Sequence, residues 1–94
     1  MRWNDAKTVA LDRLAQLPLP PGDLNGLTVQ LYEYSDPKLL RFEQGITADL
    51  EDHKQILLMM RRLLRKRKAH VEIIPVTVDT FLQWNTITRS NNPE

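Results

Sequence analysis

Cysteine is missing altogether from this 94-residue chain. Its absence removes disulfides, thiolate zinc ligands, thiol nucleophiles and cysteine redox switches in one step. It also agrees with a reducing compartment, so a cytoplasmic location is the expectation. Glycine is nearly as scarce. Gly22, Gly26 and Gly45 match neither a phosphate-cradling loop nor a dinucleotide-binding fingerprint. Long apolar runs are lacking too: the longest, Ile56-Leu57-Leu58-Met59-Met60, falls far short of the roughly 20 residues that span a bilayer. No apolar segment follows Met1-Arg2-Trp3-Asn4-Asp5, so neither a secretory leader nor a membrane partner is expected.

Histidine is limited to His53 and His70. Asp49 and His53 stand four apart on one helical face, a spacing that could share a metal or orient an imidazole. No third ligand accompanies them, and His53 lies within an apolar stripe, so a packed histidine whose ring nitrogen meets Asp49 is the expectation. No nucleophile and base stand in a recognisable arrangement. The chain therefore reads as a binding protein rather than an enzyme, with no catalytic residue, metal or cofactor expected.

What the sequence does hold is segregated charge. Lys and Arg number 13 against 12 Asp and Glu, so the net charge is close to zero. Six of the 13 bases nonetheless crowd into Arg61-Arg62-Leu63-Leu64-Arg65-Lys66-Arg67-Lys68, leaving seven to set against the 12 acids. A dense cationic block on an acidic remainder is the footprint of a protein that meets phosphates or an acidic partner. A solvated helix end whose cations complement the helix dipole is the plain alternative, although a dipole calls for fewer than six.

Periodicity places that block. Trp3, Ala6, Val9, Ala10, Leu14 and Leu17 form one stripe of a first helix over 1–17, capped by Asn4 or Asp5. A proline-rich connector over 18–26 follows, with turn signals at Pro21-Gly22-Asp23 and Asn25-Gly26. Residues 27–34 alternate and predict a strand, with Leu27, Val29 and Leu31 opposite Thr28, Gln30, Tyr32 and Tyr34. Asp36-Pro37 predicts a helix start. From Leu39 through Phe42, Ile46, Leu50, His53, Ile56, Leu57, Met60, Leu63 and Leu64 one face stays in phase up to the basic block. A single helix over 37–68 would be roughly 48 Å long, so a break at Gly45, with Thr47 capping a second helix, is favoured over one extended arm. His70-Val76 reads as a second strand that is an edge or is ending at Pro75. Thr77 or Asp79 caps a last helix through Trp84 and Asn85, and 89–94 is a frayed tail.

The expectation is a single α+β domain of order α-β-α-β-α, residues 27–88 forming its βαβα core. Two short strands flank the central helix as in a parallel crossover. So small a sheet invites completion in a homodimer. The candidate nucleic-acid contacts are Arg61, Arg62, Arg65, Lys66 and Lys68, supported by His70, while Arg67 lies near the apolar face. Leu58 and Met59 widen that face beyond one packing surface, and Leu50, Leu57 and Leu64 recur every seven residues. Those five are candidate interface residues for self-association, with ordinary core burial the alternative. Tyr32 and Tyr34 could stack bases but read rather as packing, and Trp3, Phe42, Phe81 and Trp84 read as core. Two functions follow: a nucleic-acid-associated protein working through the basic helix, or a small protein-interaction module, such as an inhibitor or assembly factor, working through the Leu58-Met59 flank.

Overall fold

A computed structural model of the chain describes residues 1–83. Trp84, Asn85 and the tail 89–94, all given roles from the sequence, lie outside the described residues. The fold is α+β: helices α1 (Trp3–Ala15), α2 (Pro37–Gln44) and α3 (Leu50–Lys66), a helical segment over 78–83, and strands β1 (Thr28–Tyr34) and β2 (His70–Val76). The strands pair in parallel from Thr28↔His70 to Tyr34↔Val76, with α2 and α3 as the crossover. Alternation sets the faces: Val29 and Leu31 are buried while Thr28 and Gln30 stay in solvent. Pro75, opposite Glu33, is tolerated because each strand of a two-stranded sheet keeps one unpaired edge.

Gly45 breaks the helical run. Its φ of 104° and ψ of 161° fall in backbone space that is essentially reserved for glycine. The Asp36 carboxylate starts α2 by accepting from the Lys38 N–H at 2.7 Å, with Pro37 at the first helical position. Three expectations need correction. The first helix begins after Arg2, so Asn4 and Asp5 lie inside its first turn rather than capping it. Asp49, not Thr47, holds the N-cap position of α3 and makes no side-chain capping bond. Phe42 and Ile46 continue the face in phase yet are 75% and 87% exposed, because the turn at Gly45 re-aims α2 and α3 separately. Thr77 caps the last helical segment as expected, its Oγ1 accepting from the Thr80 N–H at 3.2 Å.

The core lies between α1, α3 and the inner face of the sheet. Ala6 and Ala10 are fully buried, and their small side chains let α1 approach α3 closely. The wide apolar face of α3 is thus used within the chain. Leu57, Met59 and Leu64 are buried in this core, Leu50 is half-buried, and Leu58 alone among the five is exposed. Leu24, at the end of the proline connector, is also fully buried, and its N–H donates to the Arg67 carbonyl at 2.6 Å. Among the described residues no helix is long and apolar enough to cross a membrane.

Candidate functional site

The end of α3 sorts the six cations into two groups. Arg67 turns inward: its Nε donates to the Gly22 carbonyl at 2.8 Å and its Nη2 to the Pro20 carbonyl at 2.6 Å. Its guanidinium therefore clamps the connector. Lys68 sits in the left-handed region at φ 67°, the conformation that closes a helix, and its Nζ lies 3.6 Å from Asp23. His70 faces the sheet's open side, Nε2 3.8 Å from Glu72. These three do not line the hollow formed by the rest of the block.

Arg61, Arg62, Arg65 and Lys66 do line one together, a hollow of about 540 Å³ completed by Leu58 and Trp3. No carboxylate lines it, and none of the four cations forms an ion pair or side-chain hydrogen bond among the described residues. Arg61 and Arg65, and likewise Arg62 and Lys66, stand four apart, while Arg62 and Arg65 stand three apart. Each such like-charge pair on a helix costs about 0.2–0.5 kcal/mol. The helix dipole rewards Arg65 and Lys66 in the last turn, but its influence fades within that turn and does not account for Arg61 and Arg62. Among the described residues the result is a cationic surface without counter-charge, whose repulsion an anion placed there would relieve.

Trp3 is the residue that sequence reasoning missed. It continues the Ala6–Ala10 stripe, yet it is 54% exposed and lines the basic hollow. Its place at the first helical position was the available signal, since a stripe's ends overhang the core it covers. Leu58, 43% exposed, stands three and four residues before Arg61 and Arg62 and lines the same hollow.

The Asp49–His53 pair is arranged differently from expectation. His53 is 2% exposed, and its Nε2 accepts from the Tyr34 N–H at 3.0 Å; Asp49 is not its partner. Nε2 as acceptor fixes the neutral imidazole with its proton on Nδ1, and that buried nitrogen has no hydrogen-bond partner among the described residues. Burial, then the nearby Arg13 guanidinium, lowers the His53 pKa, with Glu33 opposing. The Tyr34 ring lies 5.9 Å from the His53 ring, so Tyr34 packs on the core while Tyr32 stays exposed. Phe42 meets Phe81 edge-on at 5.6 Å, an aromatic contact outside the main core. Among the described residues no group of three His, Asp or Glu could hold a metal ion. No protein-family model, curated protein or solved structure matches the chain.

Proposed function

We propose that this protein binds nucleic acid through its phosphate backbone, using Arg61, Arg62, Arg65 and Lys66. One observation carries the reading: four cations at helical neighbour spacing line a hollow together, and among the described residues no carboxylate lines it and none pairs with them. Three of the four are arginines, whose planar forks match phosphate oxygens two at a time. Phosphate neutralisation is indifferent to sequence and releases counterions, so affinity of this kind is salt-sensitive.

The test is a fluorescence-polarisation titration with labelled DNA and RNA oligonucleotides, run beside an oligoglutamate peptide of matched charge. The wild-type chain binds the oligonucleotides, and Arg61/Arg62/Arg65→Ala weakens binding by about a hundredfold at low salt, as the loss of three phosphate contacts requires. Arg67→Ala, which removes a cation committed to the connector, changes the affinity of the folded protein far less. Tighter binding of oligoglutamate than of any oligonucleotide would assign the surface to an acidic protein instead. Equal oligonucleotide binding by wild type and triple variant would overturn the reading.

A further inference from the structure

We infer that the hollow beside α3 takes unpaired nucleotides, a base lying against the Trp3 indole and Leu58 while flanking phosphates meet Arg61, Arg62, Arg65 and Lys66. The inference rests on the phosphate-binding reading and adds the substrate class. Trp3 presents a large aromatic surface to solvent and lines the same hollow as the four cations. It has no ring contact and no side-chain hydrogen bond among the described residues. Neither burial nor pairing within the described chain accounts for a tryptophan there. Single-stranded sites are built from this combination: cations that track the backbone and an aromatic on which a base stacks.

Duplex offers the cations the same charge but keeps its base faces stacked on one another, so it cannot use Trp3. The hollow is an open depression of about 540 Å³, within the volume range of small-molecule sites. Leu58 supplies apolar surface below the base. From Leu58 to Lys66 the helix rises roughly 12 Å, which limits the footprint to a few nucleotides. Stacking that needs only a π-face is tolerant of base identity, so the site reads single-strandedness rather than sequence.

The experiment compares labelled oligothymidine with a duplex of equal length, using wild type, Trp3→Ala, Trp3→Phe and Arg61/Arg62/Arg65→Ala. Oligothymidine binds wild type at least about fivefold more tightly than duplex, and Trp3→Ala loses about 5- to 150-fold of the single-strand affinity, the worth of one stacked base. Trp3→Phe retains most of it. Trp3→Ala leaves duplex affinity and the salt slope unchanged, whereas the triple arginine variant weakens both ligands. A second readout needs no disabling variant: in a Trp84→Phe chain the remaining indole emission belongs to Trp3, and oligothymidine quenches it. Unchanged Trp3 emission, single-strand affinity unaffected by Trp3→Ala, or no preference for single strands would each overturn the stacking inference. If the arginine variant still weakens binding in that case, the phosphate reading survives alone. If the arginine variant binds like wild type, both fall together.

Discussion

Replacing Arg67 by alanine separates the structural cations from the free ones. The substitution deletes the two hydrogen bonds to the Gly22 and Pro20 carbonyls. Bonds from a charged donor are worth about 1.5–3 kcal/mol each when well buried, but this guanidinium is only half-buried, so about 1 kcal/mol apiece is the fair figure. Loss of the packed side-chain stem adds to that, for a total of roughly 2–3 kcal/mol. In a domain of this size each kcal/mol moves Tm by about 4–8 °C, so a drop of about 10–20 °C is expected. The connector should loosen first, because Leu24, fully buried, is held by the backbone of the same residue. Arg67→Lys should recover little, since one ammonium cannot reproduce a fork that reaches two carbonyls. Arg62→Ala is the matched control: it removes two like-charge pairs and adds a better helix former, so Tm should hold or rise slightly. Thermal unfolding followed by circular dichroism decides the matter. An Arg67→Ala midpoint within about 2 °C of wild type, or an equal loss in Arg62→Ala, would refute the division of the block.

Two further predictions concern the scaffold. Gly45→Ala has open space for the added methyl, so only its backbone conformation opposes it, and a loss of about 1–3 kcal/mol is expected in urea unfolding; unchanged stability would mean that the α2–α3 joint does not need glycine. For His53, the folded-state pKa is lowered by burial relative to about 6.5 in the unfolded chain. The unfolded state therefore binds more protons on the acid side. The contribution is fully present above about pH 6.5 and is lost as pH falls through the folded-state value. Protonation also removes the acceptor for the Tyr34 N–H. Urea midpoints between neutral pH and about pH 5 should fall more steeply for wild type than for His53→Gln, and equal slopes would refute the assignment.

The scaffold was legible where local chemistry acts alone. Asp36-Pro37 marked α2, Gly45 marked its end, and the alternation of Val29 and Leu31 placed β1 and its buried face. Short joints between strand and helix implied the parallel crossover that is observed. Tertiary placement was less legible. The period that put Trp3, Phe42 and Ile46 on apolar faces carries no information on how far a core extends along a helix. The breadth of the α3 face was visible, but not that α1 and the sheet share it, which is why Met59 and Leu64 lie inside the chain rather than on its surface. Of the candidate site, four of six residues fall in one hollow. Lys68 was placed by extending the helical face of Arg61 and Arg65 past the helix end, and His70 by its nearness to the block, whereas Asp23 and Glu72 claim them in space.

The most direct measurement is the slope of log affinity against log salt for oligothymidine, between about 50 and 200 mM. Four such cations, each displacing a counterion from a single strand, predict a slope of about −2 to −3, equivalent to a loss of about 15- to 65-fold across that range. In Arg61/Arg62/Arg65→Ala the slope should flatten to about −1 or less. Binding with no salt dependence, or a slope that survives the triple substitution, would contradict the claim that these four side chains are the phosphate contacts.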